Sequence, residues 1–178
     1  MAATVAAPAV VTGAVVFTDI SGFTEFTALR GDAEALAMLS AQEAIVSDEL
    51  PEGSRLVKEI GDGLLLWFPD ACAAVETTLR LQDRFERAME DSDYPFWVRI
   101  GIHWGTQTTR NHDIVGHDVN VAARIVNVAA PGEVLLSEST RAAIAGGLPQ
   151  VIFDEIGPVV MKGIPAPIRL YRASRSFP

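Results

Sequence analysis

Two aspartates and a lysine stand where surface chemistry alone does not require them. Asp19 closes an apolar, β-branched run over residues 11–17 and leads into Ile20-Ser21-Gly22-Phe23-Thr24. A carboxylate at the carboxyl end of a buried strand, followed by glycine and a helix start, sits where α/β proteins hold ligands. Asp62 lies between Gly61 and Gly63, with apolar arms at 56–60 and 64–68. Glycine tolerates the positive φ of a tight hairpin, so on this stretch alone Asp62 is a turn-former and Lys58 a gatekeeper on an edge strand. The lysine count argues for more. Of 14 basic residues only Lys58 and Lys162 are lysine. A chain that writes its positive charge as arginine yet keeps Lys58 points to a compact ammonium used as a point donor. Further on, 113–125 reads DIVGHDVNVAARI, helical from about Asp118, with Asn120 and Arg124 at i and i+4 on one face. An arginine on so small and apolar a turn needs an anion, either Asp118 or another carboxylate, or a bound ligand.

The elements that must position these groups follow from periodicity and punctuation. The first ten residues read as a loose tail and 11–178 as a single domain. After strand one comes a short helix over 20–29, whose amino terminus can hold phosphate or be capped by Ser21 or Thr24. A longer helix from Gly31-Asp32 carries apolar residues at 36, 39, 46 and 50, interrupted by Glu43. The hairpin follows, and Asp70 caps a third helix with a stripe at 71, 75, 78, 79, 82, 85 and 89. Residues 96–103 form a strand with Val98, Ile100 and Ile102 on one face, and 106–112 a polar connection. Strand 133–136, a helix capped by Ser137, and three short strands within 151–171 complete the chain. The expected fold is α+β, a ferredoxin-like or palm-like βαββαβ core with a mixed, largely antiparallel sheet flanked by helices.

The bulk numbers exclude several classes. At 178 residues there is enough chain for one domain with a substantial core. A net charge of −9 argues against nucleic acid, whose backbone demands basic patches. The single cysteine, Cys72, excludes an intrachain disulfide and fits a reducing, cytoplasmic setting. The uncharged start over 1–17 lacks a basic n-region and reaches Asp19 before spanning length, so no membrane span is expected.

Six segments together, FTDISGFT (17–24), KEIGDG (58–63), RIGIHWG (99–105), DIVGHDVNVAAR (113–124), PGEVLLSEST (131–140) and MKGIPAPIRLYR (161–172), resemble the catalytic domain of the class III nucleotidyl cyclases, in family order and spacing. The resemblance implies that Asp19 and Asp62, with Ile20 beside them, bind two divalent cations, Mg²⁺ or Mn²⁺. It implies phosphate contacts from Ile20, Ser21, Gly22, Phe23 and Thr24. Lys58 and Asp113 would read the base, Asn120 would orient the ribose, Arg124 would stabilise the transition state, and Lys162 would meet the terminal phosphates. The implied activity is adenylate cyclase, converting ATP to 3′,5′-cyclic AMP and pyrophosphate. The implied assembly is a head-to-tail homodimer with two composite sites, the aspartates of one copy facing the other four residues of its partner. Many members of the family carry sensor or membrane domains ahead of this one.

The alternative from another class is a catalytically weak, nucleotide-binding partner of another cyclase, which predicts decay at one of the six positions. A diguanylate cyclase or polymerase would need a GG[DE][DE]F-like or paired-aspartate signature. His103, His112 and His117 lack Cys or carboxylate partners at zinc-ligand spacing.

Overall fold

The computed structural model describes residues 7–176. Its order is β1 (Val10–Ile20), α1 (Phe23–Arg30), α2 (Asp32–Glu49), β2 (Arg55–Ile60), β3 (Gly63–Phe68), α3 (Ala71–Asp91), β4 (Val98–Arg110), β5 (Asp113–Val115), α4 (His117–Val128), β6 (Val134–Ser137), α5 (Glu138–Ile144), β7 (Val151–Val159) and β8 (Ile168–Arg175). The sheet runs β2-β3-β1-β4-β6-β8-β7, with β5 paired to β4. All pairings are antiparallel except β4 with β6. Its first half, β1 to β4, stands in the order β4-β1-β3-β2, so the expected α+β, ferredoxin-like core is present and β6, β8 and β7 extend it.

Side chains alternate across the sheet, and the two faces carry different partners. Ala14, Val16 and Ile20 join Met38, Val75, Phe85 and Ile100 in the large core under α1, α2, α3 and α5. Val15 and Phe17 point the other way, to Ala122 and Val126 of α4. That second face depends on close approach. A Cβ on Gly101 would lie 2.4 Å from the Val126 nitrogen, so only glycine lets α4 lie directly on β4. With Val121, Ala122, Ile125 and Val126 buried, Asn120 and Arg124 are left on the exposed side of α4.

Several expectations change. Of the polar connection expected at 106–112, only Asn111 and His112 form a turn, and 106–110 is instead the far half of β4, which pairs with β1 up to Thr108 and with β5 from Thr108 to Arg110. Backbone pairing on both edges outweighs the polar composition, and Gln107 is buried against the Trp67 indole, which donates to it at 2.9 Å. On α2 the fully buried line is Ala35, Met38, Gln42 and Val46; of the expected stripe Val46 is in that line and Leu39 and Leu50 pack against the core, while Leu36 is exposed. Ala9 and Val10 are not loose, since the backbone of Ala9 is bonded to Thr109 and Val10 begins β1; of the rest of the expected tail, Ala7 and Pro8 are exposed outside any element and 1–6 lies outside the described residues. Neither Ser21 nor Thr24 caps α1, whose N-cap is Gly22 at φ 79° with no side-chain cap. At the carboxyl end two strands replace three, because 160–167 turns through Gly163 at φ 81°. Asp70 and Ser137 cap α3 and α5 as expected, each accepting from a backbone N–H three residues on.

Candidate active site

The hairpin tip brings the two aspartates together. Gly61 takes φ 62°, while Gly63 is needed for space, since a Cβ there would lie 2.3 Å from the Thr18 carbonyl. The Thr18 hydroxyl accepts from the Leu64 N–H at 3.1 Å, which locks β3 to the end of β1. Asp62 therefore lies over the carboxyl end of β1 and shares a cleft of about 400 Å³ with Asp19, Ile20, Ser21, Gly22, Phe23, Thr24, Glu25 and Arg99. Burial, reinforced by the charge of Asp19, raises the Asp62 carboxyl above the usual carboxylate range, against the pull of backbone N–H groups, including that of Ile20, and of Arg99.

Arg99 is the residue that sequence reasoning missed here. It faces Asp19 across the β1–β4 register, and its Nε and Nη2 reach the same oxygen, Oδ2, at 2.8 and 2.6 Å. The signal was available, because an arginine between Val98 and Ile100 must point to the opposite face from them and needs an acid there. This leaves Asp19 Oδ1 without a partner among the described residues. Two neighbouring carboxylates, one with a free oxygen and the other raised by burial and by its neighbour's charge, fit a divalent cation site. No group of three or more ligating side chains occurs among the described residues, so further ligands would have to be backbone, water or substrate oxygens.

The other sequence-predicted residues gather elsewhere. Lys58 Nζ donates to Asp113 Oδ2 at 2.6 Å, although the two are 55 residues apart. Burial pushes the Asp113 carboxyl up, but the Lys58 hydrogen bond, the Ile114 N–H and the charges of Lys58 and Arg55 outweigh it and hold the group below its ordinary value. Arg55 also donates to the His112 carbonyl at 2.6 Å, bracing the turn that delivers Asp113, in which Asn111 and His112 both take positive φ. Lys58 lines an apolar cleft with Phe17, Ile60, Ile114, Val119 and Asn120. A neighbouring cleft holds Asn120, Arg124, Asn127 and Lys162. These two clefts share Asn120 and Ala123, and neither shares a lining residue with the aspartate cleft. Arg124 meets no acid among the described residues; Asp118 is occupied instead by the Thr106 N–H at 2.7 Å and by His103.

His103 is buried and joins three elements, with Nδ1 2.8 Å from Ser137 Oγ and Nε2 3.3 Å from Asp118 Oδ1. Since the carboxylate only accepts, Nε2 carries the proton and the Ser137 hydroxyl donates to Nδ1. Ser, His and Asp in a row suggest a hydrolase, but Ser137 is wholly buried, so no substrate reaches it. Burial depresses the His103 pKa, with Asp118 opposing. A depressed histidine favours the folded state above its unfolded value of about 6.5 and costs stability as pH falls through the folded value. The melting temperature should therefore drop on acidification below about pH 6.5, and this part of the drop should flatten in His103→Gln when both are followed by calorimetry.

No helix among the described residues is long and apolar enough to cross a membrane. The sequence matches the family model of the adenylate and guanylate cyclase catalytic domain over residues 6–173. It is 33% identical over 165 residues to the pH-sensitive adenylate cyclase MT1302 of Mycobacterium tuberculosis, covering 90% of this chain and 40% of that protein. It is 37% identical over 124 residues to an adenylate cyclase of Streptomyces coelicolor, covering 69% of this chain and 32% of that one. The chain thus spans less than half the length of these relatives. Among solved structures, the adenylyl cyclase CyaB from P. aeruginosa superposes with a TM-score of 0.84 at 24% identity, covering 97% of this chain and 98% of that one, a likeness of fold. The guanylyl cyclase Cya2 gives 0.79 at 18% identity, covering 96% and 95%. With the match running through nearly every described residue, the chain belongs to the adenylate and guanylate cyclase catalytic domains, the class III cyclases.

Proposed function

We propose that this domain closes ATP to 3′,5′-cyclic AMP and pyrophosphate at sites shared by two copies of the chain. The observation that carries this is the separation of the chemistry into two unlike halves. The carboxylates and the α1 amino terminus open into one cleft, and the base-reading and charge-stabilising groups open into others. Neither half suffices alone, and a second copy supplies the missing one to each.

In this reading Asp19 and Asp62 hold two divalent cations, Mg²⁺ or Mn²⁺, with Ile20 beside them. The cations, when bound, neutralise the phosphate tail and acidify the attacking hydroxyl. Arg99 holds Asp19 in place through Oδ2. Backbone N–H groups from Gly22 to Thr24 face the phosphates at the positive end of α1, the Ser21 N–H being held by the Trp97 carbonyl. The 3′-oxygen forms a bond to the α-phosphorus, the bond from that phosphorus to the bridging oxygen breaks, pyrophosphate departs and the hydroxyl proton passes to solvent. Asn120 orients the ribose, and Arg124, exposed and meeting no acid among the described residues, donates to the reacting phosphate oxygens as their charge grows. Lys162, which lines the cleft of Arg124, meets the terminal phosphates.

Base choice follows from hydrogen-bond polarity. Adenine presents an acceptor at N1 beside a donor at its amino group, and Lys58 and Asp113 present a donor beside an acceptor. Guanine reverses the pattern and would set O6 against Asp113. Lys58 has three N–H donors and the Asp113 carboxylate several lone pairs, so the pair can keep its own bond while meeting the base.

Incubation of the purified protein with ATP or GTP and Mn²⁺ or Mg²⁺, with products separated by chromatography, tests this directly. Cyclic AMP should exceed cyclic GMP; the reverse, or no cyclic product, overturns the reading. Lys58→Glu should lower kcat/KM for ATP at least about tenfold more than for GTP, since an unpaired polar group costs about 1–3 kcal/mol. An unchanged ratio would remove Lys58 from base recognition.

A further inference from the structure

Gln42 is the one amide in the buried line of α2, whose other members are Ala35, Met38 and Val46, and it is 1% exposed. Its Nε2 donates to the backbone carbonyl of Asp62 at 3.3 Å. A carbonyl only accepts, so the amide nitrogen must face the hairpin, and Oε1 is turned into the core. There Oε1 finds no partner, one of two such buried side-chain atoms among the described residues. An unpartnered buried acceptor destabilises the fold, and methionine or leucine would fill similar space without one. The residue is thus unfavourable for packing and is explained by what its nitrogen holds.

What it holds is the tip that carries Asp62. That tip is a tight turn flanked by glycines, on the edge strand β2, whose last residues Lys58, Glu59 and Ile60 are exposed. Thr18 secures β3 on the far side of the turn, at Leu64. Gln42 secures the aspartate's own peptide from beneath, through a helix packed into the main core.

We propose that Gln42 is a positioning residue for the cation site, tying the Asp62 peptide to α2 so that its carboxylate stays over Asp19. This rests on the reading of Asp19 and Asp62 as cation ligands. The role separates stability from ion affinity, which a packing role would not. Removing a partner that orients a ligand costs about 10- to 100-fold in metal affinity, and the low end applies to a bond made to backbone.

The test is Mn²⁺ titration of the full chain without nucleotide, followed by electron paramagnetic resonance of the free ion and by the shift in melting temperature. Wild type, Gln42→Met, Gln42→Leu and Asp62→Ala are compared. Gln42→Met should melt no lower than wild type yet need about tenfold more Mn²⁺ for half-saturation. Wild-type Mn²⁺ affinity in both glutamine variants, with Asp62→Ala losing the ion, overturns the positioning role and leaves the cation reading intact. Binding to Asp62→Ala as to wild type, or none to wild type, overturns the cation reading beneath it. If both glutamine variants unfold, the amide is structural and the proposal fails.

Discussion

Arg124→Ala should lower kcat by about 10²–10³ while leaving KM for ATP within a fewfold, because this is the effect of removing one donor aimed at charge that develops in the transition state. The structure bears on the size of the loss. The guanidinium stands on the exposed side of α4 and meets no acid among the described residues, so its donors are free for substrate. Its truncation should not disturb the core, and the melting temperature should stay within about a degree or two of wild type, as for surface changes generally. Arg124→Lys should recover only part of the loss, since a point charge cannot reproduce the two-pronged geometry of the guanidinium toward phosphate oxygens. Steady-state assay beside calorimetry decides it; a large rise in KM with kcat intact would make Arg124 a binding group.

Mixing Asp19→Ala with Arg124→Ala should restore activity that neither protein shows alone. The two lesions lie in clefts with no lining residue in common. In a mixed pair one composite site collects both lesions and the other collects neither. Random exchange makes half the pairs mixed, each with one sound site of two, so recovery should approach about one quarter of wild type. A mixture as inactive as its components would show that both halves act within one chain. The companion check is dilution, under which specific activity should fall as pairs separate.

How much of this was legible beforehand differs by element. The hairpin and the placement of Asn120 and Arg124 on one side of α4 were legible from turn residues and helical spacing, and the Lys58–Asp113 pairing only through the family resemblance. For Arg99 the face was legible but the partner was not, because Asp19 is 80 residues away and only the β1–β4 register makes them neighbours. Gln42 was hidden by its polarity, because the stripe through Leu39, Val46 and Leu50 does face the core and gives no reason to bury an amide beside it; only Leu36 ends up exposed. The far half of β4 was hidden by composition, since Thr106, Thr108 and Thr109 suggest a loop until both neighbouring strands supply hydrogen bonds.

The length of β4 has one more consequence. Its 13 residues carry Arg99 near the start and His103 in the middle, and its end turns directly into β5 and Asp113. A continuous girder of paired backbone thus joins the Asp19–Asp62 corner of the protein to its Lys58–Asp113 corner. Within one chain the spacing of those corners is nearly invariant, and a regulator that bent the strand would break ladders on both its flanks. In the proposed dimer the cheaper adjustment is to tilt one whole molecule against another, which would open or shut both composite clefts in a single movement.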